Sequence, residues 1–250
     1  MPRTASDLYT LESTFALERT WNTKFGFNPD VDASAEMIWF GGGAYTGWLT
    51  TAAPLRVRAG GNANDTAAGS GARSVTLFCL DDAGDEFSET LALAGASASA
   101  ATATAASRIN RAWIEDCGTV DGSSAGNVLI ETTGGTLVAS LEAGKNHTQI
   151  ASYCVPRGCV VYVYEVHLYV ADQSAVDFRF YQRQGSRTVA APFPPRRIIN
   201  NYAGVIGSVD VEYHPPRRFT ELTDLYLEVE GGSIAEVSAE FGFEQFRLTA

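Results

Sequence analysis

Residues 62–93, NANDTAAGSGARSVTLFCLDDAGDEFSETLAL, decide the fold class. From Ser74 to Leu80 the side chains alternate, with Val75, Leu77 and Cys79 on one face and Thr76, Phe78 and Leu80 on the other. That is the two-residue period of a strand. Asp81-Asp82-Ala83-Gly84-Asp85-Glu86 interrupts it with turn formers, and alternation resumes at Phe87, Glu89, Leu91 and Leu93. The reading is strand, turn, strand. The lead-in, with Asn64, Asp65, Thr66, Gly69 and Gly71, is small and polar, which suits irregular backbone satisfied locally. Asp65 is expected to accept from nearby backbone donors and so fix the entry into the first strand.

The same texture continues in both directions. Leu55, Val57 and Ala59 alternate with Arg56 and Arg58, and short apolar runs at 109–115, 127–131, 137–141 and 148–154 are separated by glycine-rich turns. Residues 95–107 are almost all Ala, Ser and Thr and read as an extended connection, since no large apolar stripe is present for a helix to bury. In Cys159–Val170 the set Val160, Tyr162, Tyr164, Val166, Leu168 and Val170 reads as one apolar face. Val176, Phe178 and Phe180 alternate next, then Val209, Val211 and Tyr213, then Leu225, Leu227 and Val229. Val237, Ala239, Phe241 and Phe243 keep odd register while Phe246 and Leu248 are even, which a bulge near Glu244-Gln245 would reconcile.

This spacing predicts an all-β, jelly-roll-like antiparallel β-sandwich rather than βαβ units. Residues 1–36 are expected to form an N-terminal arm, with Leu8, Leu11, Phe15 and Leu17 hinting at a weak helix. Residues 37–184 would be the sandwich, and 185–250 an additional C-terminal β region that either stands apart or completes the same domain.

Composition narrows the function. The net charge of -11 and the absence of a dense lysine tract argue against nucleic acid as the main partner. No apolar run reaches the length of a membrane span, and the first thirty residues carry Asp7, Glu12, Glu18 and Asp30 in place of a leader's apolar segment. Cys79, Cys117, Cys154 and Cys159 are too few and irregular for a disulfide scaffold, so reduced thiols are expected. Cys154 and Cys159 bracket Val-Pro-Arg-Gly, and whether they pair across that turn stays open.

Catalytic constellations are missing from the pattern. His147, His167 and His214 stand in unrelated contexts, no GxSxG or HExxH occurs, and the turn 81–86 lacks the ligand alternation of an EF-hand. The chain therefore reads as a non-enzyme without cofactor or metal; His167 reads as a hydrogen-bonded, half-buried residue. What stands out instead is a repeated phrase, Pro194-Pro195-Arg196-Arg197 and Pro215-Pro216-Arg217-Arg218. Its prolines fix extended backbone and its arginines gather positive charge in an acidic chain. They read either as solvated sheet-edge turns or as contacts to an acidic partner or a neighbouring copy.

Residues Ala63 to Leu77, with Leu80-Asp81, resemble an ANDTxAGTGAR-type signature of virion structural proteins of tailed bacteriophages. Asn64, Asp65, Thr66, Gly69, Gly71 and Arg73 carry it, as a structural loop. Arg111-Ala112-Trp113, Ala125-Gly126-Asn127-Val128, the stretch Val138 to Gly144, and Tyr153 to Gly158 resemble later phrases of the same family in the same order. Cys79 stands where the family has glycine and Cys154 where it has threonine. The resemblance spans about Ile38 to Tyr181 and implies a non-enzymatic virion component of jelly-roll type. The expectation that follows is a capsid decoration or cement protein, a homotrimer on the major capsid protein or other virion proteins, in a virion assembled in the bacterial cytoplasm. The alternative is a receptor-binding fibre, spike or tail-associated subunit; a third reading is a glycan depolymerase.

Overall fold

Two sheets of alternating residues close on each other to make the larger core. The computed structural model describes residues 5–16, 18–59, 62–119, 122–185, 194–231 and 235–248, so Leu17 lies outside the described residues. In chain order the elements are α1 (Ala5–Phe15), β1 (Glu18–Val31), β2 (Glu36–Met37), β3 (Leu55–Arg58), β4 (Ala72–Leu80), β5 (Glu86–Ala92), β6 (Arg108–Cys117), β7 (Val128–Thr132) and β8 (Leu137–Leu141). There follow β9 (Ser152–Cys154), β10 (Cys159–Val170), β11 (Val176–Gln184), β12 (Arg197–Val205), β13 (Ser208–Thr220), β14 (Thr223–Gly231) and β15 (Ala235–Arg247). The chain is all-β and antiparallel throughout its sheets.

One sheet runs β1-β15-β10-β13 and the other β12-β11-β14-β2, with β9 also paired to β14. β2 meets Glu228 and Val229 while β9 meets Asp224 to Tyr226, so the two short strands share one edge of β14. Counting that edge as one position, the first, eighth, third and sixth strands form one layer and the second, seventh, fourth and fifth the other. This is the jelly-roll order. Val161, Val163, Val166, Phe241 and Phe243 from one layer and Phe178, Phe180, Leu225 and Leu227 from the other share one buried cluster.

The division differs from the one expected. One unit comprises 1–43, 151–186 and 193–250, and the second comprises 44–150 with 187–192. The jelly roll is thus split by an inserted β domain between β2 and β9. Within residues 44–150, β3-β7-β8 and β5-β4-β6 form two three-stranded sheets over a core that includes Leu55, Leu77, Leu93, Ile130 and Leu141. The hairpin expected at 74–93 is β4 and β5, in register from Ser74↔Ala92 to Leu80↔Glu86.

Residues 18–31 are a strand of the jelly roll, paired along most of their length with β15, and not an arm. They escaped a strand reading because their buried positions include Lys24, Gly26 and Asn28, which give no apolar alternation. Gly26 is required: a Cβ there would lie 2.4 Å from the Ala151 amide and 2.5 Å from the Ile38 carbonyl oxygen.

Two face assignments change as well. Pairing breaks between Val163 and Glu165 against both neighbours of β10: β15 passes from Phe243 to Gly242, a one-residue slip that leaves Tyr164 as the extra residue, while β13 jumps from Arg217 to Glu212. A one-residue bulge exchanges faces. Val161 and Val163 therefore join Val166, Leu168 and Val170 in the sandwich core, while Val160 and Tyr162 face outward. No slip occurs at Glu244-Gln245; β15 keeps register there, and Phe246 lies on the outer face against Tyr9 of α1. The second Pro-Pro-Arg-Arg phrase is likewise no turn. It lies within edge strand β13, whose residues 213–216 are skipped in the pairing with β10. Proline is tolerated at such an edge because no ladder donor is lost.

Phe180 and Phe241 bridge the two layers with ring centroids 5.4 Å apart, and both are fully buried. Phe241→Ala is expected to lower the unfolding free energy by about 3 to 5 kcal/mol, measured by denaturant titration.

Candidate functional site

Asp65 organises the loop that carries the signature. Its side chain is fully buried, and Oδ1 accepts from the Ala72 amide at 2.7 Å and the Ala125 amide at 2.9 Å, while Oδ2 accepts from the Gly126 amide at 2.9 Å. Its own carbonyl takes the Gly95 amide at 3.0 Å. A buried carboxylate with several amide donors is held by charge-assisted bonds. Asn64 contributes its carbonyl to the Gly71 amide at 3.0 Å, and Thr66 to the Gly69 amide at 2.8 Å. The glycines are steric necessities: a Cβ on Gly69 would lie 2.0 Å from the Asn64 oxygen, and one on Gly71 would lie 2.1 Å from Asp65 Oδ1. Arg73 Nε donates to the Gly69 carbonyl at 2.9 Å. Sequence reasoning placed Asp65 in a local turn; its partners at 125 and 126 add a long-range tie that no local pattern reveals.

Asp65→Ala would leave buried amides without acceptors. The expected cost is about 3 to 5 kcal/mol, read from denaturant unfolding of the full chain.

The four arginines of the repeated phrase have different fates. Arg218 Nη2 and Nε bind Glu12 of α1, at 2.5 Å to Oε1 and 3.0 Å to Oε2, and Tyr162 also donates to Glu12. Arg196 pairs with Glu228 at 2.5 Å and lies 4.7 Å from the Tyr181 ring centroid. Burial pushes the Glu228 carboxyl above its usual range despite that cation. Arg217 is exposed and stacks 4.6 Å from the Tyr213 ring. Arg197 is exposed at the start of β12.

Around Arg218 the outer face of the four-stranded sheet is closed by α1. Tyr9 packs edge-on against Tyr162 at 5.2 Å and Tyr164 at 6.1 Å, and lies 5.6 Å from Phe246. Two carboxylates clamp it. Glu244 accepts from Tyr9 at 3.0 Å, from Arg19 Nε at 2.7 Å and from Tyr164; Glu12 holds Arg218 and Tyr162. Burial pushes both carboxyls up, but the hydrogen bonds from Arg218 and Tyr162 to Glu12, and from Tyr164, Arg19 and Tyr9 to Glu244, leave each below its ordinary value. Depressed carboxylates stabilise fully above their unfolded values and lose that contribution as pH falls through the folded ones. Amide exchange in Tyr9–Thr14, corrected for intrinsic rate, is therefore expected to accelerate as pH falls below about 4.5. Glu12→Gln should loosen α1 already at neutral pH.

His167 Nδ1 lies 2.8 Å from Asp210, whose hydrogen bond raises the imidazole pKa. It is half-buried. Cys154 and Cys159 are not joined by a disulfide. Among the described residues no three His, Cys, Asp or Glu side chains gather closely enough to hold a metal ion, and no helix is long and apolar enough to cross a membrane. The arrangement provides structural ties and exposed cations.

No family model and no curated protein matches the sequence. Among solved structures, similarity is found to infectious bursal disease virus, Gx strain, at 7% identity and TM-score 0.24, covering 96% of this chain and 81% of that one. Particles of T=1 symmetry derived from the same virus give 8% identity and TM-score 0.22, covering 97% and 79%. Likeness at that level says nothing about role or residues.

Proposed function

We propose that this chain is a non-enzymatic structural protein of a bacteriophage virion, a decoration or cement protein that binds the major capsid protein. One observation carries the reading furthest. Two phrases of the phage resemblance, 63–77 and 125–128, are far apart in sequence yet meet at the Asp65 carboxylate. Their co-occurrence therefore has a physical reason, because a loop with Asp65 needs amides at 125 and 126 to receive it. The signature residues are committed to holding the fold, which fits a family whose motif marks a structural element.

Function then falls to surfaces. Arg196 and Arg218 act within the chain, so Arg197 and Arg217 are the candidates for contacts with capsid protein or a neighbouring copy. A homotrimer with modest contacts per subunit would gain affinity through effective concentration, and such a cement would resist the outward pressure of packaged DNA. The two most exposed aromatic residues among the described ones, Trp21 and Tyr169, lie within strands β1 and β10 and not at loop tips, where an adhesive fibre would present them.

Quantitative mass spectrometry of purified particles tests this. Decoration predicts hundreds of copies per particle, and Arg197→Glu with Arg217→Glu lowering that occupancy. A few to a few dozen copies would instead assign the chain to a fibre, tail or portal-proximal part, and its absence from particles would overturn the virion role.

A further inference from the structure

Sheet edges expose unpaired backbone donors and acceptors, and proteins usually blunt them with charge, proline or irregularity. Charge, proline or a very short strand blunts three of the jelly roll's edges. β13 carries Asp210, Glu212, His214, Pro215 and Pro216; β1 carries Glu18, Arg19 and a register break at Pro29; β2 is only two residues long. The fourth edge is β12, which pairs with β11 on one side and has no strand on the other among the described residues. From Ile198 to Ile206 it carries no charge and no proline, and its irregularity is confined to two register breaks against β11, between Ile198 and Asn200 and between Tyr202 and Val205. Ile198 and Ile206 are 55% and 52% exposed, two of the largest apolar exposures among the described residues.

We propose that β12 pairs antiparallel with β12 of a second copy of this chain, across a two-fold axis near Asn201, joining two sheets into one. An antiparallel two-fold contact is self-complementary, so each residue and its opposite exchange roles. Centred on Asn201, it sets Ile198 opposite Gly204 of the other copy. A Cβ at Gly204 would meet nothing within 4 Å, so the glycine leaves space for the isoleucine. Ile206 of the other copy then comes within diagonal reach, which shields both side chains. The charges also match. Arg197 at the start of one strand faces the far end of the other, where Asp177, partly exposed on β11, accepts the Gly204 amide at 2.8 Å. Main-chain bonds supply the attraction in strand addition of this kind, and side chains set the register.

The contact is independent of the virion reading, because it is tested on purified protein without any capsid. Sedimentation equilibrium of the full chain is the measurement. Wild type is expected to show twice the mass of Asn201→Lys and of Asn201→Asp, each of which places like charges across the axis. Mixing the two variants in equal amounts is expected to restore the wild-type mass, since lysine then faces aspartate. Asn201 is exposed, so circular dichroism and melting temperature should stay at wild-type values; if either variant fails to fold, Ile198→Lys at the same edge decides. Variants that keep the wild-type mass, a wild type no heavier than the variants, or a mixture that stays at the variant mass would each overturn the proposal.

Discussion

The bulge at Tyr164 is the constraint on which the jelly roll's two faces depend. β10 lies between β15 and β13, and its register breaks at the same point against both, by one residue against β15 and across residues 213–216 of β13. Because side chains in a strand alternate with a period of two, one inserted residue exchanges the faces of everything beyond it. Val161 and Val163 stay in the sandwich core with Val166 and Leu168, while Tyr162 and Tyr164 turn outward as a platform for α1. Were the same residues paired without the bulge, a strand of nearly continuous apolar character would present valines to solvent at one end or tyrosines to the core at the other. The helix, its carboxylate clamps and the outward Phe246 all answer to this single offset.

A second organising contact holds the inserted domain. A fully buried carboxylate gathers amides from the start of β4 and from the loop before β7, and Gly71 makes room for it. The two units thus solve different problems. The jelly roll relies on broad apolar burial across stacked sheets, with aromatic rings from Phe180 and Phe241 in contact across the layers. The insert leans on a buried ionic tie, where removal of one group would orphan several partners.

How much of this was legible depends on whether the signal was local. The hairpin 74–93 was readable because alternation, turn formers and alternation follow one another within a single stretch. Val176–Gln184 and Cys159–Val170 were readable as strands for the same reason. The jelly-roll class was legible, but its placement was not, because the order 1-8-3-6 pairs residues from opposite ends of the chain. β1 hid behind Lys24, Gly26 and Asn28, residues that suit close backbone approach and polar burial rather than a hydrophobic face. Phe246 suggested a bulge because periodicity cannot say that a helix covers the other side. The arginine phrases were conspicuous in sequence, yet only the structure separates Arg218, tied to Glu12, from Arg197 at an open edge.

Fold alone does not fix a role, and jelly rolls host many. The central claim is that this chain works through its surfaces as a part of a phage shell, and electron cryomicroscopy of the intact particle tests it most directly. The account predicts density for the jelly roll and its inserted domain repeated over the outer face of the capsid, with Arg217 turned toward capsid protein. Density confined to the tail or its fibres, or a shell that lacks this fold, would contradict it.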